Sequence, residues 1–315
     1  MTVGAAPARG RARSAVAAWP GVLWRFARPH TIIGTTASIL GIYVLSADAL
    51  PGFAVGDGLG DLLCTLLAGW CVNVFIVGIN QIEDVEIDRV NKPYLPIAAG
   101  ELSLVAARRI VFACAVIPVA MALTQGWLET VAVLAGLAVG AAYSVPPVRL
   151  RNFPLLASLC ITGVRSVVVN LGVALHFSLA FGGVWTVPAG VWALTLFVIP
   201  FAFAIAILKD VPDAEGDRRF AVHTYVLRLG GRRVLHIALA ALSLAYLGMA
   251  VLGPLMLDGA QPVVLVVTQL AALGVLLARG AAADPADRDS FTAFYMDVWK
   301  LFFLEYALIP LAFVL

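Results

Sequence analysis

Charge is scarce in this chain. Asp, Glu, Lys and Arg make up 13% of its 315 residues, while 62% are hydrophobic. With a mean hydropathy of +0.96, that scarcity excludes an ordinary soluble domain and indicates a polytopic membrane protein in a lipid bilayer. Cysteine is scarcer still. Cys64, Cys71, Cys114 and Cys160 stand apart in apolar runs with no C-x-x-C pair. That excludes the paired-thiol motifs and leaves small packing residues. No Ser/Gly/Pro-rich linker divides the chain, so one membrane domain over 25–315 is expected, after a cytoplasmic tail over 1–24. Residues 1–20 contain no acid and no apolar run of a secretory signal; a transit peptide shares this composition, but a short tail is the expectation. The basic residues are spread over many loops and form no patch, so no nucleic-acid partner is expected.

Nine apolar segments are long enough to span, near 31–47, 62–82, 105–124, 128–143, 154–177, 186–208, 233–253, 261–279 and 298–315. Apart from Arg165, which alone falls well inside a span, Lys and Arg lie at the N-terminus and after spans two, four, six and eight. The loops after spans one, three, five and seven have none. This pattern predicts a cytoplasmic N-terminus and an external C-terminus. Trp127 and Trp185 fall near outer helix ends, as an aromatic belt would place them.

Against this background, two acidic clusters stand out. One runs from Asn80 through Asp84 to Asp88, at the end of span two. The other holds Asp210, Asp213 and Asp217, after span six. The spacings i, i+4, i+8 and i, i+3, i+7 each predict one helix face. Both faces fall on the expected cytoplasmic side. Charge at membrane depth is costly, so its default reading is functional. Two facing sets of oxygen ligands suit a hard cation such as Mg²⁺, which is held by a few carboxylates together with substrate phosphates. Arg89, Lys92, Arg149, Arg151 and Lys209 belong to the same layer and would neutralise a departing diphosphate. An apolar bundle beneath would keep water from a carbocation. The set suits intramembrane isoprenoid chemistry. The loops over 89–103 and 218–233 are placed to cover such a site. A weak echo, acidic face then basic loop, recurs at an offset of four helices and suggests two related halves.

The chain resembles the UbiA superfamily of intramembrane prenyltransferases, and its homogentisate prenyltransferase-like branch. Asn80/Asp84/Asp88 and Asp210/Asp213/Asp217 match that family's two aspartate-rich motifs. NQIEDVEIDRVNKPYLPIAAGE (80–101), RPHTIIGT (28–35), LKDVPDAEGD (208–217) and YMDVWKLFFLEYALIP (295–310) extend the resemblance. Pro146-Pro147, after Tyr143-Ser144, is closer to the wider superfamily than to the branch. The resemblance implies an all-α integral membrane fold: nine transmembrane helices around a central cavity with a cytoplasmic cap. It implies an enzyme that joins a prenyl diphosphate to an aromatic acceptor, with Mg²⁺ held by the acidic motifs. It also implies that Lys92, Tyr143, Ser144 and Arg149 contact the diphosphate.

Lys209 would add charge at the leaving group. Arg28, His30 and Arg165 are the candidates for orienting a phenolic or acidic acceptor. Asn170 and Glu305 are expected to serve helix contacts as readily as the cavity. His223 is expected to be solvated, and His176 to have no catalytic part. Two other functions fit the same residues. A terpene cyclase would use the metal site without an acceptor. A transporter would place its acids nearer the membrane centre.

Overall fold

The computed structural model describes residues 19–315. Arg9, Arg11 and Arg13 of the expected tail lie outside them. Among the described residues every regular element is helical. Residues 19–26 form a helical stretch. The long helices that follow are α1 (Pro29–Asp48), α2 (Leu59–Glu83), α4 (Leu104–Gln125), α5 (Trp127–Ser144), α6 (Pro154–Gly182), α7 (Ala189–Leu208), α10 (Gly231–Met256), α11 (Pro262–Ala282) and α12 (Arg288–Val314). Three short helices lie between them: α3 (Val85–Asn91), α8 (Ala214–Arg219) and α9 (Tyr225–Leu229).

Local chemistry sets the ends. Pro29, Pro154 and Pro262 open helices, where a missing N–H costs nothing. Ser103 caps α4 by accepting from the Ala106 amide. Pro93 and Pro96 hold 92–103 out of helix, and Gly100 turns the chain at φ +75°.

Eight helices are long and apolar enough to cross a membrane: α1, α2, α4, α5, α6, α7, α10 and α11. They coincide with the first eight expected spans, including the short fourth. The chain is a multi-pass membrane protein. The ninth, α12, is 27 residues long but carries Asp297, Lys300 and Glu305 along its length, so apolarity alone supports eight crossings. It is nonetheless a core helix, packed on α1, α7 and α11. Its Val298, Trp299, Phe302, Tyr306 and Ile309 are almost fully buried. On the outside, Phe112, Leu123, Leu244, Leu255 and Val263 are exposed, as lipid-facing side chains should be. Trp127 and Trp185 lie together with ring centroids 5.2 Å apart.

Two features shape the centre. First, α6 is wound as a π-helix over Gly163–Gly172, and such turns recur at functional sites. Second, short helices follow α2 and α7 alike, in keeping with the sequence echo. Of these, α3 and α8 pack on each other and form, with α9, a cap over one end of the bundle.

Candidate active site

The first acidic motif straddles a break. Helix α2 stops at Glu83, Asp84 leaves helical geometry at φ −112° and ψ 17°, and α3 resumes at Val85. The single face survives the break. Asn80 Nδ2 donates to Asp84 Oδ2 at 2.7 Å, and Asn80, Asp84 and Asp88 line one cavity. The buried Asp84 is clamped by two arginines. Arg149 Nη2 donates to its Oδ1 at 3.0 Å, and Arg151 pairs with its Oδ2. Arg28 Nη2 reaches Asn80 Oδ1 at 3.4 Å. Both Arg28 and Arg149 adopt positive φ, 52° and 38°. Such backbone strain in non-glycine residues clusters at functional sites.

The second motif departs from the expected helix face. Pro212 cannot donate to a helical ladder and disfavours helix at Val211. Accordingly α7 ends at Leu208, 209–213 is a turn, and only Asp217 sits within α8. The turn still delivers Asp210, Asp213 and Asp217 to the same cavity. Lys209 Nζ lies 2.6 Å from Asp210 Oδ1, and Lys92 pairs across with Asp213. A second bridge joins the two motifs. The Gly216 amide donates to Asn91 Oδ1 at 2.9 Å, and a Cβ at Gly216 would come within 2.5 Å of that oxygen.

The cavity holds about 750 Å³. Its capped end carries the two motifs with Arg28, Lys92, Arg151, Lys209 and Arg288. Further in, its walls are mostly apolar, from α1, α2, α5 and α6. Tyr143, His30 and Arg165 also line it. His30 meets Trp299 edge-on at 4.9 Å. Arg165 has no ion-pair partner among the described residues, and its guanidinium lies 4.6 Å from the Trp299 ring centroid. Ser144 is fully buried and does not line the cavity, and Arg149 reaches the site only through Asp84. Asn170 and Glu305 lie outside the cavity: Tyr306 donates to Asn170 Oδ1 at 2.8 Å, and Gln269 Nε2 to Glu305 Oε2 at 2.7 Å. His223 is exposed at the rim.

Three contributions were not expected from sequence. Arg151 was placed only in the basic layer, yet its side chain is 10% exposed and closes on Asp84. Asn91 docks the motifs together. Arg288 and Asp289 reach the rim from the start of α12. The signal for Asn91 was present in NQIEDVEIDRVNKP, but nothing in one sequence says which asparagine crosses to the other motif.

The site's own residues fit a divalent cation. Among the described residues no three acidic or thiol and imidazole groups converge into a closed metal cage. Mg²⁺ does not require one, since phosphate oxygens complete its shell. Among the described residues, two carboxyls are left without a basic clamp. Asp88 Oδ2 is buried with no hydrogen-bond partner among the described residues, and burial pushes that carboxyl above its ordinary pKa. Burial, aided by Asp210 and Asp213, pushes Asp217 up to about 7. Each motif therefore holds one under-neutralised carboxyl, which an added cation would satisfy.

Comparison with known proteins gives a consistent picture. The family model described as the UbiA prenyltransferase family matches residues 35–303. Homogentisate phytyltransferase of Synechocystis sp. is 44% identical over 304 residues, covering 92% of this chain and 94% of that one. Homogentisate phytyltransferase 1 of Arabidopsis thaliana is 34% identical, covering 91% and 74%. A solved UbiA homologue from Archaeoglobus fulgidus, bound to GPP and Mg²⁺, superposes with a TM-score of 0.62 at 19% identity, covering 91% and 99%. At that identity the likeness is one of fold.

Proposed function

This chain belongs to the UbiA prenyltransferase family, and from that premise we propose that it transfers a prenyl group from an allylic prenyl diphosphate to homogentisate or a similar phenolic acceptor, with Mg²⁺. The observation that carries the reading is the meeting of both acidic motifs at one end of a cavity whose deeper walls are apolar.

Asp84, Asp88, Asp210 and Asp217, with Asn80 and Asp213 beside them, would hold Mg²⁺. Bound there, the ion supplies Lewis-acid neutralisation of the diphosphate leaving group. Lys92 and Lys209, now paired with Asp213 and Asp210, add positive charge that can pass to phosphate oxygens. Arg149 and Arg151 fix Asp84 in place, and Tyr143 lines the same cavity. The apolar walls accept the isoprenoid tail and exclude water from the allylic cation. Arg28, His30 and Arg165 orient the acceptor so that an electron-rich ring carbon meets that cation. A motif carboxylate takes the phenolic or ring proton. Transfer to homogentisate would be accompanied by loss of its carboxyl as CO₂.

The charge pattern supports a cytoplasmic N-terminus and active site, an external C-terminus, and α12 as the ninth crossing. A single domain would then run over 25–315, after a tail over 1–24. Reporter fusions at both termini test this; termini on one side of the membrane would overturn it.

The function is tested by incubating protein in lipid nanodiscs with prenyl diphosphates, a panel of phenolic acceptors and Mg²⁺, and weighing the products. A prenylated aromatic is expected, absent with EDTA. A cyclic isoprenoid formed without acceptor would replace this reading with a cyclase.

A further inference from the structure

The cavity has a second polar end. The deepest lining residue on α2 is Thr65, on α5 Glu129 and on α6 Val173. Between these and the acidic motifs the walls are chiefly Val, Ile, Ala and Gly. Glu129 is 3% exposed and Thr65 1% exposed. Glu129 Oε2 and Thr65 Oγ1 have no hydrogen-bond partner among the described residues. They approach each other across the floor without reaching hydrogen-bond geometry. A carboxyl buried at a cavity wall without a hydrogen-bond partner on one oxygen is expensive and asks for a function.

Depth gives that floor a meaning. From Tyr143 down to Glu129 on α5 is about 21 Å, and from Asn80 to Thr65 on α2 about 22 Å. An extended isoprene unit advances about 5 Å, from four carbon–carbon bonds of about 1.5 Å. Roughly four units therefore bring the hydrocarbon to the Glu129 carboxyl, and a longer tail must press against it or strip its solvation.

We propose that Glu129, with Thr65, closes the tail pocket and sets an upper limit on prenyl length by penalising hydrocarbon that reaches it. The inference rests on the prenyl-transfer reading above and adds its chain-length determinant. Selectivity of this kind is a difference of affinities, built by an unfavourable contact with the wrong ligand. Tails that stop short never meet the carboxyl and are indifferent to it.

The test measures binding directly, so that it does not depend on finding the acceptor. Unreactive thiolodiphosphate analogues with three, four and nine isoprene units are titrated, with Mg²⁺, into wild type, Glu129→Met, Glu129→Gln and Thr65→Val in nanodiscs. Glu129→Met removes the polar group at similar volume. Its affinity for the nine-unit tail, relative to the three-unit tail, is expected to rise at least tenfold. Glu129→Gln, polar and isosteric, is expected to keep the wild-type profile. Thr65→Val should move the profile in the direction of Met by a smaller factor, and serves if Glu129→Met does not fold. An unchanged length profile in Glu129→Met and Thr65→Val, or a loss equal at all lengths, overturns the gate and leaves prenyl transfer standing. Wild type that binds no analogue of any length overturns the prenyl-transfer reading and the gate with it.

Discussion

The capped end of the cavity and the contact between α10, α11 and α12 both bury carboxylates, on opposite terms. At the capped end of the cavity, five aspartates share a layer with Arg28, Lys92, Arg151, Lys209 and Arg288. Asp84, Asp210 and Asp213 are held by basic partners, while Asp88 and Asp217 have none among the described residues. Between α10, α11 and α12, Glu305 is fully buried against the neutral amide of Gln269, with Tyr246 beside it, outside the central cavity. An aspartate that faces the cavity within a layer of basic residues, yet has no partner of its own, is arranged for a cationic ligand. A carboxyl that faces a neutral donor across a helix contact ties helices together. Burial alone does not distinguish the two; the partners do.

The comparison is broken most sharply at the unclamped acids. Asp88→Ala and Asp217→Ala should each lower turnover by about 100-fold or more, the loss of about 3 kcal/mol of metal-borne stabilisation. The protein should remain folded and detergent-extractable. Turnover within twofold of wild type in both would contradict the metal assignment.

Next in size is the bridge between the motifs. Gly216→Ala forces a methyl onto Asn91 and should shift the two loops apart. A misplacement near 1 Å would cost on the order of tenfold in kcat/KM. Asn91→Ala, which removes the obstacle and the hydrogen bond, should partly restore Gly216→Ala. A double variant worse than either alone would show that the bridge is not what the glycine protects.

The raised acids give a pH signature. Asp217 is pushed up to about 7, against an ordinary value near 4. Native protein without metal therefore holds a proton there that unfolded chain has lost, and stability falls as pH rises from about 4 towards 7. Tm without Mg²⁺ should drop across that window, and Mg²⁺ should reduce the drop. A Tm that climbs over the window, with or without the ion, would contradict the electrostatics.

Smaller effects separate acceptor from donor, and site from scaffold. Arg165→Ala should raise the acceptor KM several-fold while leaving prenyl diphosphate binding unchanged; equal effects on both would place Arg165 in the donor site. Glu305→Ala should leave kcat/KM within about twofold and lower stability by about 1–3 kcal/mol, since Gln269 loses its partner. A catalytic loss larger than that would erase the distinction drawn above.

Sequence carried the fold well because lipid leaves the backbone few choices. Apolar runs located the spanning helices to within a few residues, and Pro and Gly placed the loop over 92–103. It drew attention to the two acidic clusters because carboxylates are so few in this chain, and both clusters line one cavity. It did not show that Asp210 and Asp213 sit in a turn, although Pro212 was there to be weighed. Nor could it pair Arg149 and Arg151 with Asp84, or Asn91 with Gly216, because those contacts join segments 65 and 125 residues apart. Glu129 was invisible for another reason. An acid in the first turn of a helix is ordinary, and only its place at the floor of the cavity makes it a candidate.

The central claim is that the two motifs act as one Mg²⁺-dependent diphosphate site. It is tested most directly by titrating an unreactive prenyl thiolodiphosphate into wild type and into the Asp88→Asn/Asp217→Asn double variant, each with Mg²⁺ and with EDTA. Wild type should bind tightly with Mg²⁺ and at least 100-fold more weakly with EDTA, and the double variant should bind weakly in both. Equal affinity with and without the ion, or undiminished Mg²⁺-dependent binding in the double variant, would contradict it.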